Sequence, residues 1–570
     1  MNAVSNPSFT MIVSTYQRRD MVCETVQAIG RIEYDGPFEL VVIIDGSNDG
    51  TEDALKQIEL PFPYRVVWQP NGGLGHARNR GAQEARHEIL FFLDDDMICR
   101  PDIVEQHAKK YREGADAVLG EIPLEDNSPP GFLSEGIAIW AADSARQSRE
   151  MDQLTPFHVF GGQLSVRRSA YEAIGGFDAR FTENGNYGQE DADFGVKLLE
   201  RFKVVHAPDA VSLHRYIVTP RENLRRAFKS GRADVMFARR HPSLAPTLFG
   251  LNNIHRRVTR YVYKPLGAVP LFPKVFAAFA GWFADRALKT RWRSNKWVAR
   301  VFYAAQQVAY WSAVRRHGGM PNARKALVLC YHAMADHSFD GLLGNYSIPP
   351  DVFAAQIASL KRRGFTFITA DDLLLCLKGL IRLPKKAVLL TFDDCYTDLT
   401  EVVRTVLAPQ RIRPVAFAVT GLPSWTNEWD QKVGAVRLQL LDPEGLRALH
   451  ALGVDIGAHS RTHRMMPDLS DRDLASETLG CADDIEAMGL PRPKYFCYPF
   501  GGRDQRCFEA VEKAGYALGF GLADKHARRG KNMMDVARIE MLTCDSPWRF
   551  WLKTAIPRPA TYLRSRFFQP

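Results

Sequence analysis

Apolar residues arrive in short, partly β-branched runs separated by stretches of helical periodicity. The runs 9-FTMIVST-15, 38-FELVVII-44, 64-YRVVW-68 and 89-ILFFL-93 predict strands, and Met21–Ile29 and Gly75–Arg86 between them predict helices. That alternation predicts a mostly parallel sheet with helices on both faces. Residues 123–135, rich in Pro, Gly, Asp and Ser, predict a loop. The rhythm runs to about residue 235. Residues 236–320 instead carry many aromatics and many Arg/Lys with few strand signals, and read as helices. From 325-KALVLCYH-332 the rhythm restarts, with strands expected at 326–331, 365–368, 387–392, 414–419, 454–458, 494–498 and 516–520. No repeat links the halves. The expectation is two α/β domains, 8–235 and 325–545, joined by a helical linker over 236–320.

Composition changes little in this picture. The chain has 570 residues, too many for one core, with 46% apolar and 24% charged residues, as in ordinary globular proteins. The net charge of +9 suits sugar nucleotides or anionic lipid headgroups. No nucleic-acid-binding motif accompanies it, so nucleic acid is not expected as a partner. The nine cysteines include no CxxC pair and read as free thiols. The stretch 1-MNAVSNPSFTMIVSTYQRR-19 lacks a basic-then-apolar leader, so a cytoplasmic place is expected. The stretch 268-AVPLFPKVFAAFAGWFA-284 holds Lys274 and two prolines and falls short of a membrane span. The segment 282-WFADRALKTRWRSNKWVARVF-302 reads either as a helix packed on the domains or as one lying on a membrane surface, at the inner face of a bacterial membrane.

The second half places an acid pair, in 391-TFDDCYTD-398, at the end of an apolar strand, where α/β folds collect their sites. Two histidines four apart, in 459-HSRTH-463, follow another strand. A buried acid pair is costly unless a cation compensates it. Asp394, His459 and His463 offer a mixed donor set for zinc or another divalent transition metal, with a position left open for water. Asp393 would point elsewhere along an extended backbone and take a proton from that water. The turn in 496-FCYPFGG-502 offers a backbone N–H to a developing oxyanion. Taken singly, an acid pair is usually a cap and an HxxxH usually surface chemistry.

These stretches, with 329-LCYHAM-334, resemble the polysaccharide deacetylases, the NodB-like family 4 carbohydrate esterases, over about residues 325–545. The resemblance implies an irregular (β/α)7 barrel, with removal of an acetyl group from an N-acetylated sugar. It makes Asp393 the base, gives the metal to Asp394, His459 and His463, and takes the oxyanion N–H from Phe500. Two departures stand out. The family's late histidine acid is missing, since no histidine follows His526, and Cys497 holds the place of the third-motif arginine. Arg538 resembles a fourth-motif arginine, and His332 on the opening strand is a candidate helper.

In the first half, the acids of 91-FFLDDDM-97 close a strand and could hold a divalent ion against a diphosphate. Asp94 and Asp96 would share a face of an extended chain. With 10-TMIVSTYQR-18, 45-DGSNDG-50, 71-NGGLGHARN-79, 161-GGQLSVRRSAYEAIGGFD-178 and 190-ED-191, these acids resemble the family 2 glycosyltransferases of GT-A fold over about residues 8–235. That implies an inverting transfer from a nucleotide-diphosphate sugar with Mn²⁺ or Mg²⁺. Donor binding would fall to Thr15, Tyr16, Asp45, Gly73, Asp94, Asp95 and Asp96, with Asp96 at the metal. Asp191 would be the base, Glu190 would position the acceptor, and His214 is a candidate near the diphosphate. Ile44 stands where an aspartate commonly precedes Asp45. The expectation is a bifunctional bacterial glycan-assembly enzyme that transfers an N-acetylhexosamine to a glycan or lipid-linked oligosaccharide and deacetylates a sugar of the same pathway. The alternative is a glycosyltransferase fused to a non-catalytic, carbohydrate-binding deacetylase-like module.

Overall fold

The computed structural model describes residues 6–555 apart from 152, 252–254, 320, 338–339, 342, 432–433, 524 and 529. The chain folds as two compact units, Met1–Phe237 with Leu251–Gly319, and Ala238–Gly250 with Met320–Pro570.

The first unit holds β1 (Phe9–Thr15), β2 (Phe38–Asp45), β3 (Tyr64–Gln69), β4 (Ile89–Asp94), β5 (Met97–Cys99), β6 (Ala117–Glu121), β7 (Gln163–Arg167) and β8 (Val204–His214). They form one mixed sheet of order β3-β2-β1-β4-β7-β6-β8-β5, parallel from β3 through β4 and antiparallel where β7 enters. Strands β1, β2 and β4 are buried on both faces, which is why they read as unbroken apolar runs, while β3 at the sheet edge is only half-buried. Phe9, Met11 and Val13 pack on one side, while Ile12, Leu90 and Phe92 pack on the other. Helix Leu74–Glu84 sits tightly on the sheet, since a Cβ on Gly81 would stand 2.2 Å from Ile12 Cγ2. The loop expected over 123–135 ends early, because helix Phe132–Glu150 starts within it.

The segment 282–302 is not one helix. Helix Phe272–Leu288 ends, a turn follows, and Asn295 caps a new helix, Lys296–Arg316, by accepting from the Trp297 amide at 2.8 Å. Val298, Phe302 and Ala305 are buried with Ala277, Ala280 and Ala284 against Phe132 and Leu224.

The second unit holds β9 (Lys325–Tyr331), β10 (Thr366–Phe367), β11 (Ala387–Phe392), β12 (Val415–Ala418), β13 (Asp455–Ala458), β14 (Tyr495–Cys497), β15 (Leu518–Leu522), β16 (Ala527–Arg528) and β17 (Val536–Glu540). Parallel pairing runs β9-β11-β12-β13-β14-β15-β17 and returns to β9, closing a seven-stranded barrel. β10 and β16 are short additions at its rim. Alternate residues of the barrel strands point inward. Phe417 of β12 and Phe520 of β15 meet across the lumen at 5.4 Å, although their strands are not neighbours. Leu327, Leu329, Leu390 and Phe392 point outward against helix Pro350–Arg362. Leu389 fills the lumen without exposure, so Leu389→Ala should lower the stability of this unit by about 2–5 kcal/mol in urea unfolding.

Candidate functional sites

The barrel strands deliver their side chains to one rim. Asp393 and Asp394 follow β11, and Asp394 turns at φ 66°. Extended alternation is therefore not what separates the two carboxylates. A left-handed turn does it, at a residue type that tolerates one. The histidines lie in an irregular loop after β13, with His463 at φ 54°. Buried Glu477 holds that loop by accepting from the Arg461 and Thr462 amides at 2.7 and 2.9 Å.

Asp394 Oδ1 stands 3.5 Å from His459 Nε2 and 3.4 Å from His463 Nε2, and all three residues are buried. Donors on one tetrahedral ion at about 2.0–2.2 Å stand about 3.3–3.6 Å apart, so the spacing fits. His459 Nδ1 donates to the Cys497 carbonyl at 2.8 Å, which leaves the Nε2 lone pair facing Asp394. The His463 ring stacks on Trp429 at 4.1 Å, and Phe500 meets it edge-on at 4.5 Å. Asp394 Oδ1 has no hydrogen-bond partner among the described residues. Burial, then the neighbouring Asp393 charge, pushes the Asp394 carboxyl up, and burial pushes both imidazoles down. Each of these costs is one a divalent cation would offset, so the residues fit a transition metal.

Asp393 is separately anchored. Arg538, 1% exposed on β17, donates from Nη1 to Oδ1 at 2.6 Å and from Nη2 to Oδ2 at 2.8 Å. It also donates to Cys497 Sγ at 2.9 Å and to Thr391 Oγ1 at 3.2 Å. The thiols of Cys330 and Cys497 each donate to Asp393 Oδ2 at 3.4 Å. Burial alone would raise this carboxyl, but Arg538 overrides it and holds it well below the usual range. His332 Nε2 lies 3.9 Å from Asp393 Oδ2, and its Nδ1 lacks a partner among the described residues. Burial lowers its pKa, so the ring is neutral. His526 follows β15 near the start of β16, and burial lowers it to about 4.

In the first unit, Asp94 ends β4, and Asp95 and Asp96 form the turn into β5. The extended alternation expected for Asp94 and Asp96 is thus absent. Instead, cations sort the three acids. Arg18 donates to Asp95 at 2.7 Å and Asp96 at 3.0 Å. Thr15 also donates to Asp95, at 2.7 Å. His214 Nε2 approaches Asp96 Oδ2 at 3.6 Å. Asp94 goes to Arg78, which is nearly buried and also donates to Asp191 at 2.6 Å. Glu190 stands 3.7 Å from the same guanidinium at the start of helix Glu190–Leu199. Burial, then Asp191, pushes the Glu190 carboxyl up to about 8. Asp45 accepts from the Gly72 and Gly73 amides at 2.9 and 2.8 Å and tethers the glycine-rich turn. Gly73 has φ 89°, and a Cβ there would stand 2.5 Å from the Thr182 carbonyl. Tyr16 is half exposed nearby in sequence, and Tyr187 lies under the Arg226 guanidinium at 5.2 Å.

Arg78, Arg18 and Glu477 are not singled out by sequence reasoning. For Arg78 a signal exists, because it shares a helix face with Gly75, Ala77, Gly81 and Ala82, all buried. A charge on a buried face needs partners.

Comparison with known proteins agrees with this division. The model of glycosyl transferase family 2 matches residues 10–175, that of the N-terminal domain of galactosyltransferase 153–221, and that of polysaccharide deacetylase 381–519. A validoxylamine A glucosyltransferase of Streptomyces hygroscopicus subsp. limoneus is 29% identical over 280 residues, 43% of this chain and 59% of its own. The Streptococcus pyogenes deacetylase PplD, solved with acetate, is 21% identical with TM-score 0.35 over 41% of this chain and 99% of its own. The mannosyltransferase PcManGT of Pyrobaculum calidifontis, solved with GDP-Man and Mn²⁺, is 20% identical with TM-score 0.36 over 54% of this chain and 88% of its own. The chain spans between 28% and 63% of the length of the first curated relatives it matches.

Replacing Arg538 with Met would strand Asp393 as a buried, uncompensated charge. Arg538→Met should cost about 3–5 kcal/mol in denaturant unfolding, and Arg538→Lys should recover only part, since lysine lacks the two-pronged fork.

Proposed function

We propose that this chain, in which a family 2 glycosyltransferase-like domain and a polysaccharide deacetylase-like domain are both present, transfers a sugar and removes an acetyl group. The sugar is an N-acetylhexosamine, carried on a nucleotide diphosphate. The acceptor is a glycan or lipid-linked oligosaccharide, and the place of action is the inner face of a bacterial membrane. The observation that carries the deacetylase reading is the convergence of Asp394, His459 and His463, with Asp393 held apart from them by Arg538.

A carboxylate paired as Asp393 is stays ionised but accepts protons weakly. The water that it deprotonates must already be acidified, and a divalent ion on Asp394, His459 and His463 would supply that acidity and polarise the acetyl carbonyl when bound. Asp393 then takes the proton on Oδ2, the oxygen facing His332. His332, neutral at rest and 3.9 Å from Asp393 Oδ2, takes that proton over from Asp393 as the amine departs and, as imidazolium, gives it to the leaving nitrogen. The Phe500 backbone N–H faces the oxyanion. Phe500 itself, 54% exposed, offers its ring to the sugar.

In the first unit, Asp191 accepts the acceptor hydroxyl's proton, and Arg78 aims it through the hydrogen bond at 2.6 Å. Protonated Glu190 donates a hydrogen bond to the acceptor. Asp94 and Asp96 face the donor diphosphate, with Mn²⁺ or Mg²⁺ at Asp96 and His214 beside it. Thr15 and Asp95 brace that turn through Arg18. Tyr16, Asp45 and Gly73 shape the nucleotide end. An open cavity of about 960 Å³, walled by Glu121, Glu125 and Ser128 and by helix Phe132–Glu150, offers room into which an acceptor would extend. Its wall residue Glu125 donates its amide to the His214 carbonyl at 2.9 Å, and Ala138, Ala141, Ala142 and Ala145 line it from one helix.

The test is incubation with UDP- and GDP-sugars and N-acetylated oligosaccharides, read by mass spectrometry for added hexose and lost acetyl mass. Asp393→Asn should abolish acetate release while zinc still binds. A binding-only second domain would release no acetate in the unsubstituted chain either, although it would retain oligosaccharides. At pH 7 Glu190→Gln, a neutral isostere of the protonated acid, should keep transfer within a few-fold. Asp191→Asn should lower it by about 10²-fold or more.

A further inference from the structure

Helix Phe272–Leu288 is apolar on both sides, a pattern expected of helices surrounded by protein or lipid. Yet it is placed the wrong way round for a water-soluble surface. Its small residues, Ala277, Ala280, Gly281, Ala284 and Ala287, face inward. Its large ones face out, with Val275 at 65% exposure, Phe279 at 53% and Trp282 at 44%, in line with Leu271 at 68% just before the helix. Leu271 takes φ 63°, a left-handed turn that is costly for leucine and that aims it outward. The preceding helical stretch adds Tyr261 at 68% exposure and Val262 at 42%. The two stretches meet at a 106° bend, and among the described residues no single helix is long and apolar enough to cross a bilayer.

Charge accompanies the apolar face. Residues 256–300 contain eleven Lys or Arg and one acid, Asp285. That acid is already engaged by Arg221 at 3.1 Å. Arg286 lies over the Trp282 ring at 4.8 Å, and Arg260 over Tyr261 at 5.4 Å, so cations flank the exposed aromatics.

We infer that this bent helical elbow, with Leu271 at its apex, is a docking surface for an anionic phospholipid bilayer. Leu271, Val275 and Phe279 would enter the acyl boundary, Trp282 and Tyr261 would sit at headgroup level, and the surrounding Lys and Arg would meet the anionic headgroups. Exposed apolar rows of this size mark interaction sites rather than solvated surface. The charge selects the occupant. A second copy of the chain applied face to face would oppose two strongly cationic surfaces, whereas an anionic membrane neutralises one. This goes beyond the proposed chemistry, because it holds whether or not either site turns over. It also places the apolar residues that enter the bilayer upstream of 282–302, where Val298 and Phe302 are buried, and leaves to that segment Trp282 and its cations at headgroup level.

The test floats the full chain with vesicles of phosphatidylcholine alone or mixed with phosphatidylglycerol, at low and high salt. The unsubstituted protein should float with the mixed vesicles, less with phosphatidylcholine alone, and less as salt rises. The triple variant Leu271→Gln, Val275→Gln, Phe279→Ser removes only exposed side chains, so its thermal unfolding should match the parent. Its vesicle partitioning should fall at least about tenfold. Transfer to a soluble acceptor should be unchanged in the variant, and its loss would concern the transferase reading alone. Equal flotation of parent and variant would overturn the proposal. So would a parent that ignores the mixed vesicles, including one that instead forms a dimer which the variant dissociates by light scattering.

Discussion

The second unit is organised around a single buried ion pair. Arg538 and Asp393 lie 145 residues apart and meet inside the barrel with two hydrogen bonds and almost no exposure. Taking both charges out of water is expensive, and their attraction compensates only when geometry and surrounding partners are good. The barrel supplies both. Thr391 accepts from the guanidinium, Phe417 gives it a ring face at 5.5 Å, and two thiols surround the carboxylate. The β17–β9 pairing that closes the ring is also the one that brings Arg538 within reach of Asp393 at the end of β11. The cysteine at 497 then has a physical reason. With the Arg538 guanidinium 2.9 Å from Cys497 Sγ, a second guanidinium on β14 would face a like charge with no water between. The cation that orients the acid stands on β17, and position 497 takes a small, weakly polar group.

The first unit solves the same problem in the same way. Arg78 is buried against the sheet and gathers Asp94, Asp191 and Glu190 from two distant stretches of chain. Three acids around one cation leave an excess of negative charge, and its effect falls on Glu190, the most buried of the three, whose carboxyl is pushed up by burial and by Asp191. A carboxyl raised in this way holds its proton more readily than an exposed one, which suits it to offering a hydrogen bond rather than accepting one.

Much of this was legible in the chain. Strands buried on both faces announce themselves as apolar runs, and β1, β2, β4, β9 and β11 fall where those runs lie. β17 was not, because 536-VARIE-540 is interrupted by the very arginine that makes it important. β7 and β8 carry polar residues such as Gln163, Ser165 and Ser212: Ser212 donates to Gln163, Gln163 donates to the Ala210 carbonyl, and Ser165 accepts from the Tyr111 hydroxyl. In the sites, spacing disclosed the acids and histidines but not their orientation. Asp394, Ser460 and His463 all adopt positive φ, a choice imposed by tertiary contacts and invisible to any periodicity. The inverted elbow helix was equally hidden, since its composition is that of a buried helix and only the fold shows which face is outward.

Backbone strain bears on whether the second unit is a working site or a relic that merely binds sugar. Of ten non-glycine residues with positive φ among those described, five are Asp394, Cys395, Ser460, His463 and Phe500, all in the three loops of this rim. Such conformations cost of order 1–3 kcal/mol each and persist only where surrounding contacts over-determine them. Here the contacts are identifiable. Glu477 clamps the histidine loop, the Cys497 carbonyl fixes His459, and Arg538 fixes Asp393. A module that only binds carbohydrate needs aromatic faces and a few hydrogen bonds. It gains nothing from holding one carboxylate and two imidazoles within 3.5 Å while a second carboxylate is kept ionised alongside. The strain is intelligible if these groups are held ready for a cation and a water, the arrangement in which pre-organisation lowers a barrier.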